Sequence, residues 1–441
     1  MSNYALFLGC TIPARFPYME KSTRIILDEL GVNYRDIEGF TCCPTKSVIK
    51  VMDEKVWYLT AARNLAIAEK EDLDILTPCN GCYATLKSAE HEFIVNNNLK
   101  DEVNSKLDKI GLEFKGYVKV KHLIEVLHDE FLDKIMSYIQ TPMYGMNIAV
   151  HYGCHLVRPS SAIHFDDPIE PKKFDALVEV TGAKSIDYDS KMICCGSSLS
   201  NVDEEGAIAL TRDKILNLQD IASALVLCCP SCFMQFDSKQ YLMKKSGENL
   251  HLPVIYISEL LGLAMGFSPK EMGMDMHRIE NESFLNHWFK KYNYYKAIRK
   301  HFPIADLKRC YDCGACVQDC PVAKLQEGWD PNEIIGKILG ENGENGEFDT
   351  IIKTTDIWKC LDCYTCYELC PQKFGMNKVF DKLKELSYKI GNIPQPLDSS
   401  ITMFKKTGLL GEPTKIRKKL KLPELKKSGV EDLRSLLEMV E

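Results

Sequence analysis

The chain has 441 residues, a formal net charge of −7 and 45% hydrophobic residues, enough for two or three domains with cores of their own. Mild acidity gives no reason to expect a nucleic-acid partner. No uninterrupted apolar run reaches the roughly 18–20 residues that a membrane span needs; the nearest approach, Leu252 to Phe267, is short and contains Glu259. Met1-Ser2-Asn3-Tyr4 has no basic stretch and no cleavage site, so the expectation is a cytoplasmic protein. That compartment keeps thiols reduced. Nineteen cysteines in such a chain point to metal or redox chemistry rather than a disulfide framework, and the odd count argues against complete pairing.

An internal repeat fills the first 267 residues, read as one cysteine-rich α/β domain over 1–145 and a second over 146–267. The first copy opens on a strand, Tyr4-Ala5-Leu6-Phe7-Leu8, that ends in Gly9-Cys10. The second opens on Ile148-Ala149-Val150-His151-Tyr152 and ends in Gly153-Cys154. Each copy continues with a helical stretch, a short strand and an adjacent pair, Cys42-Cys43 or Cys194-Cys195. A helix follows in each, Glu54 to Lys70 or Glu204 to Leu218. A strand then runs into a Cys-x-x-Cys, Cys79 with Cys82 or Cys229 with Cys232. Alternating strands and helices predict βαβ units and a mostly parallel sheet. Ligands of such sheets sit beyond the carboxyl ends of the strands, where the cysteines of both copies fall. An amphipathic helix is expected over Lys121–Ile139, before the second copy.

Residues 268–303 read as a connector that passes into an aromatic-rich helix, Phe284 to Tyr295. A mostly helical domain over 304–392 carries the strongest motif. Cys310-x2-Cys313-x2-Cys316-x3-Cys320-Pro321 recurs as Cys360-x2-Cys363-x2-Cys366-x3-Cys370-Pro371, the spacing of bacterial two-cluster ferredoxins, in which the fourth cysteine of each block serves the other cluster. One cubane 4Fe–4S cluster would use Cys310, Cys313, Cys316 and Cys370; the other would use Cys360, Cys363, Cys366 and Cys320. Zinc takes two ligands from each of two separated pairs, a poorer match to two complete blocks. Nothing around these cysteines supplies an acid, a base or a pocket, so their expected role is conduction. A turn-rich, solvated loop is expected over Gly340–Gly346. The tail, 393–441, holds a basic run from Lys415 to Lys427, read as a solvated face.

The five-cysteine sets are Cys10, Cys42, Cys43, Cys79 and Cys82, and Cys154, Cys194, Cys195, Cys229 and Cys232. A thioredoxin-like dithiol needs two thiols and a cubane four; neither accounts for an adjacent pair plus a fifth, twice over. The spacing gathers thiols from three loops at one end of a sheet, with each Cys-x-x-Cys opening a helix whose dipole favours thiolate. Such a site suits a larger or unusual iron–sulfur assembly. Cys228 is left over, and is read as a buried free thiol. His155, next to Cys154, is a candidate donor of a hydrogen bond or proton; a histidine simply satisfied at a strand end is the alternative.

At these residues the chain resembles the CCG repeats of the heterodisulfide reductase B-type component. The resemblance includes Thr77-Pro78-Cys79-Asn80-Gly81-Cys82, Cys229-Pro230-Ser231-Cys232, and Gly196 after Cys194-Cys195; the first copy departs with Pro44 after Cys42-Cys43. The last third resembles the C-type component of the same enzyme, most clearly from Trp358 to Pro371. The resemblance implies two noncubane 4Fe–4S clusters, one per five-cysteine repeat, with a disulfide between them that is cleaved to two thiols, and two cubanes feeding electrons one at a time. The family's substrate is the mixed disulfide of coenzyme M and coenzyme B in methanogens. Its partners are a flavin-containing A-type component and a donor of hydrogenase or formate dehydrogenase type. Three rivals stand beside it: a thiol:fumarate reductase-like subunit, a lactate or glycolate oxidase-like iron–sulfur subunit, and a non-catalytic electron-transfer subunit of another complex. The first two place the ferredoxin part first, whereas this chain places it last.

Overall fold

The computed structural model describes residues 3–44, 49–340, 348–411, 415–423 and 429–439. The chain divides into two compact units, residues 1–293 and 294–441.

The first unit contains two four-stranded parallel sheets of the same topology. One has β1 (Tyr4–Leu6), β2 (Tyr34–Arg35), β3 (Asp74–Thr77) and β4 (Val120–His122) in the order β2-β1-β3-β4. The other has β5 (Asn147–His151), β6 (Lys184–Ile186), β7 (Ala224–Leu227) and β8 (Val254–Tyr256) in the order β6-β5-β7-β8. In both, the chain steps outward from the first strand and then returns past it to the third. That reversal opens a crevice at the carboxyl ends of the first and third strands, the usual ligand position in open α/β sheets. Helices cover both faces, which is why the central strands read as unbroken apolar runs; every residue of Ala224–Leu227 is buried.

The two repeats pack reciprocally. The helix after β1, Pro17–Glu29, lies on the helix after β8, Ile257–Met265. Its counterpart after β5, Lys173–Glu179, lies on the helix after β4, Leu123–Tyr138. Ser22 and Ser258 meet in the first of these interfaces, hydroxyl to hydroxyl at 2.7 Å, both fully buried. A single apolar core runs through both repeats from Tyr4 to Trp288, so the two crevices are held in one frame.

Local signals explain the boundaries. Asp53 caps the helix Glu54–Lys70 by accepting from the Lys55 and Val56 amides, and Asp203 caps Glu204–Leu218 through the Gly206 amide. The expected helix over Lys121–Ile139 spans Leu123–Tyr138, because Val120–His122 pairs as β4 and His122 closes a capping box with Glu125. Tyr256 and Glu259 form the same box after β8. The aromatic-rich helix runs over Glu282–Ile298, and its Phe284 and Trp288 are buried.

The second unit is helical among its described residues. Helix Ile304–Cys313 packs on Pro331–Leu339, with the Tyr311 ring pressed so closely on Gly336 that an added Cβ would lie 2.5 Å from it. Of the loop expected over Gly340–Gly346, Gly340 caps the preceding helix in the left-handed conformation; its other residues lie outside the described residues, as do residues 424–427 of the basic run. Within that run, Ile416–Lys419 is a short exposed helix. None of the described helices is long and apolar enough to cross a membrane.

Candidate metal centre

In each repeat, three loops at the carboxyl end of the sheet carry the five cysteines. Cys10 and Cys154 stand at the first turn after the opening strand; Cys79 and Cys229 are the N-caps of the helices that follow β3 and β7. The adjacent pairs lie in irregular loops beyond β2 and β6, and these loops are fastened from behind. Asn64 accepts from the Thr41 amide at 3.0 Å and donates to the Cys42 carbonyl at 3.3 Å. Trp57 Nε1 donates to the Pro44 carbonyl at 3.1 Å. In the second repeat Lys214 Nζ donates to the Ile193 carbonyl at 2.8 Å and Thr211 to the Cys195 carbonyl at 3.2 Å.

All ten thiols line one cavity of about 240 Å³. They form a continuous ribbon that reads the same from either end. Cys10 Sγ lies 3.5 Å from Cys42 Sγ, and Cys154 Sγ lies 3.9 Å from Cys194 Sγ. Inward from these ends the thiols make contact in the order Cys42, Cys43, Cys82 and Cys79 in one repeat, and Cys194, Cys195, Cys232 and Cys229 in the other. Cys79 and Cys229 meet at the centre and join the two halves. The inner thiols are buried, whereas Cys10, Cys42 and Cys194 are exposed and Cys154 is half-buried.

Two glycines make this convergence possible. Gly9 and Gly153 have φ of +68° and +72°. A Cβ on Gly9 would lie 2.5 Å from Cys82 Sγ; one on Gly153 would lie 2.6 Å from Asn80 Nδ2 and 3.4 Å from Cys232 Sγ. Asn80 is also a bridge between the repeats, donating to the Tyr152 carbonyl at 2.7 Å and accepting from the buried Cys228 thiol at 3.4 Å. Cys228 thus joins the framework behind the ribbon and does not line the cavity. Tyr256 crosses in the opposite direction and donates to the Pro78 carbonyl.

The donor set fits a polycationic metal group. All nineteen cysteines are free thiols, and the 3.5 Å and 3.9 Å contacts far exceed a disulfide bond of about 2.05 Å. Ionising one thiol opposes ionisation of the next: Cys195 is pushed up to about 12, first by its hydrogen-bonded neighbour Cys194, while Cys194 is held well below the ordinary range by donors from Cys154 and then Cys195. Ten such groups become thiolates together only around metal ions that neutralise them.

The repeats also differ at a pair of buried positions. His151 closes β5 where Phe7 follows β1, and Lys214 lies eleven residues beyond its helix cap Asp203 where Asn64 lies eleven beyond Asp53. Lys214 Nζ is 3.0 Å from His151 Nδ1. Burial holds the His151 imidazole well below its ordinary range, and adjacent Lys214 adds to this. Burial lowers the Lys214 ammonium to about 8, against the opposing pull of Cys232, Cys195 and Cys194. A ring nitrogen of His151 and the Cys195 and Cys232 sulfurs lie within 4.8 Å of one another. His155, the sequence candidate, is half-buried and lines the cavity.

In the second unit Cys320, Cys360, Cys363 and Cys366 line one cavity, with Cys316 on its wall. Cys310 has Cys316, Cys370 and Cys313 as charged neighbours; burial first, and then these, push its thiol up to about 12. Cys370 Sγ accepts from the Phe374 and Gly375 amides at 3.2 and 3.4 Å, donors suited to a thiolate. The backbone is left-handed at Asp362 and Tyr364, a conformation that residues with a Cβ rarely adopt. Gly314 takes the same conformation at the place in the first block that Tyr364 holds in the second.

Two family models match the chain: a cysteine-rich CCG domain over residues 4–87 and 148–237, and a 4Fe-4S dicluster domain over 306–374. The B component of the ferredoxin:CoB-CoM heterodisulfide reductase of Methanosarcina mazei is 40% identical over 290 residues, 65% of this chain and 96% of that one. The 8-methylmenaquinol:fumarate reductase membrane anchor subunit of Wolinella succinogenes is 32% identical over 281 residues, 63% of this chain and 97% of that one. In the last third, the C2 component of the H(2)/formate:CoB-CoM heterodisulfide,ferredoxin reductase of Methanococcus maripaludis is 30% identical over 125 residues, 27% of this chain and 64% of that one.

Proposed function

This chain belongs to the heterodisulfide reductase family, B-type over its first two-thirds and C-type over its iron–sulfur last third, and from that premise we propose that it reduces a small-molecule disulfide of the CoB-CoM kind to two thiols. The observation that carries the reading is the single cavity lined by both five-cysteine sets. Disulfide reduction takes two electrons, and two one-electron sites facing one space match that requirement. Cys10, Cys42, Cys43, Cys79 and Cys82 would hold one noncubane cluster, and Cys154, Cys194, Cys195, Cys229 and Cys232 the other. Such clusters, when bound, supply electrons one at a time and a Lewis-acid iron for a departing thiolate.

The chain's own residues do the rest. Burial of Cys79, Cys82, Cys229 and Cys232 fixes the inner ends, so the disulfide enters from the exposed side of Cys10, Cys42 and Cys194. Asn80, Tyr256 and the reciprocal helix packing keep the spacing between the two sites constant, which holds the substrate sulfurs in register with both. His155, which lines the cavity, would give a proton to a product thiolate. Cys310, Cys313, Cys316 and Cys370, and Cys360, Cys363, Cys366 and Cys320, would hold two cubanes in the second unit, which would supply one-electron relay from a flavin-containing A-type component. A second reading has one observation in its favour: the Wolinella relative matches as fully along its length while its name places it in a fumarate reductase, so the same repeats could conduct electrons without cleaving a disulfide.

The protein should bind about sixteen irons, four per site over four sites, with no stoichiometric zinc; anaerobic elemental analysis near eight would mean that the repeats hold no clusters. Purified with its partner proteins, it should reduce the CoB-CoM heterodisulfide with reduced viologen as donor. Reduced clusters that leave the disulfide intact would favour the electron-conducting reading. Cys363→Ala separates conduction from chemistry. Donor-driven turnover should fall by more than about tenfold, roughly 1.4 kcal/mol, while viologen-driven turnover falls much less. Equal losses in the two assays would show that the second unit does more than conduct.

A further inference from the structure

The two thiol sets are alike in the order of their contacts, and their surroundings differ, among other places, at two buried positions close to the adjacent pairs. Behind the first set stand Phe7 and Asn64; behind the second stand His151 and Lys214. Both Asn64 and Lys214 tie the loop of an adjacent cysteine pair to the helix beneath it. The carboxamide does this without charge, the lysine with an ammonium. Packing the loop therefore does not require a cation.

The pair also has a defined polarity. An ammonium offers donors only, so Nδ1 of His151, 3.0 Å from Lys214 Nζ, is the acceptor. The remaining ring proton is then on Nε2. That atom is buried and has no hydrogen-bond partner within the protein, a condition that is ordinarily costly. A Cβ on Gly153 would lie 3.8 Å from Nε2 and 3.4 Å from Cys232 Sγ. A ring nitrogen of His151 lies within 4.8 Å of the Cys195 and Cys232 sulfurs, so the imidazole stands beside both. Nε2 makes no hydrogen bond in the protein, which leaves its proton free for a sulfur of a cluster held there, whereas Nδ1 is occupied by Lys214.

Adding an electron to an iron–sulfur site makes it more negative. A hydrogen bond to its sulfur and a nearby fixed cation stabilise that state more than the oxidised one, and both raise the reduction potential. Phe7 offers neither. Resting on the reading that each repeat holds a cluster, we propose that His151 and Lys214 make the second repeat's site the easier of the two to reduce. One electron taken from a low-potential one-electron reductant, such as a reduced cubane or viologen, then settles on the Cys154–Cys232 set rather than on the Cys10–Cys82 set. His151 and Lys214 act through the cysteines and are positioning residues. The two ends of the cavity become inequivalent, and a disulfide bound across it meets one site already reduced.

The test is an anaerobic redox titration of the full chain, followed by electron paramagnetic resonance, with iron measured on the same samples. In the wild-type protein the two repeat sites should titrate apart. In His151→Phe, which installs the residue of the first repeat, the higher-potential signal should move down by at least about 59 mV, a tenfold change in occupancy for a one-electron couple, while the lower one stays. Lys214→Asn, which keeps a donor for the loop carbonyl, should move the same signal in the same direction. Full iron with neither signal moved, or movement of the lower-potential signal alone, would overturn the proposal. So would loss of about four irons in both variants, because the pair would then serve to hold the loop. Near eight irons in the wild-type protein would instead defeat the cluster reading on which the proposal stands.

Discussion

Cys43→Ala and Cys195→Ala should each abolish disulfide reduction almost completely. The two residues hold equivalent places in the thiol ribbon, each linking an outer pair, exposed but for the half-buried Cys154, to a buried inner pair. Removing either leaves four cysteines in its repeat, enough in number for a conventional cubane, so iron content should fall little while the site changes character. What should be lost is the exposed end, where a substrate sulfur is to be taken. Both halves of a disulfide must be reduced, so one intact site cannot finish the reaction. Each single variant should keep less than about a tenth of wild-type turnover, a barrier increase of at least about 1.4 kcal/mol. The double variant should be scarcely worse than either single one, because each alone removes the shared step. Steady-state rates with a viologen donor and iron analysis on the same preparations decide the matter. A single variant with full iron that retained more than about a tenth of the rate would remove the two-site mechanism and leave electron conduction.

Much of this architecture is legible in the sequence because it is written twice. The repeat of strand, Gly-Cys, adjacent pair and Cys-x-x-Cys carries its own internal comparison, and the alternation of strands and helices places the elements. The residues that escaped are those whose role depends on the third dimension. Cys79 and Cys229 are separated by 150 positions, and spacing alone does not bring them together at the centre of one cavity. Asn80 reads as part of a motif but serves as a bridge to Tyr152 of the other repeat. His151 is visible beside Cys154, yet its neighbour Lys214 lies on a distant helix and reads as one more lysine on an amphipathic surface. A sequence signal for it existed: counting from the two helix caps pairs Lys214 with Asn64, and a lysine opposite an asparagine at a buried position is a difference that asks for a cause. Gly9 and Gly153 close their strands in the sequence, but only their positive φ and the sulfur beside each show what they admit.

Those two glycines bear the second large expected effect. Gly9→Ala should cost the first repeat its cluster, with iron falling from about sixteen to about twelve per chain and disulfide reduction lost with it. Two penalties act together. A left-handed backbone at a residue with a Cβ costs roughly 1–2 kcal/mol, a load that a core of this size survives. The steric penalty is more specific. The new methyl would lie 2.5 Å from Cys82 Sγ, and Cys82 cannot swing aside without leaving both Cys43 and Cys79. Gly153→Ala should do the same to the second repeat and also disturb the bridge between the repeats, since its methyl would meet Asn80 Nδ2 at 2.6 Å, the group that holds the Tyr152 carbonyl. Two controls separate crowding from backbone strain. Gly111 and Gly247 also have positive φ, of +69° and +98°, with nothing within 4 Å of an added Cβ. Alanine there should lower thermal stability by a similar amount and leave iron and turnover intact. Circular dichroism melting curves beside iron analysis for the four variants make the comparison. Equal iron loss in all four would show that backbone strain alone empties the site; full iron in Gly9→Ala would show that Cys82 is not held where the first cluster needs it.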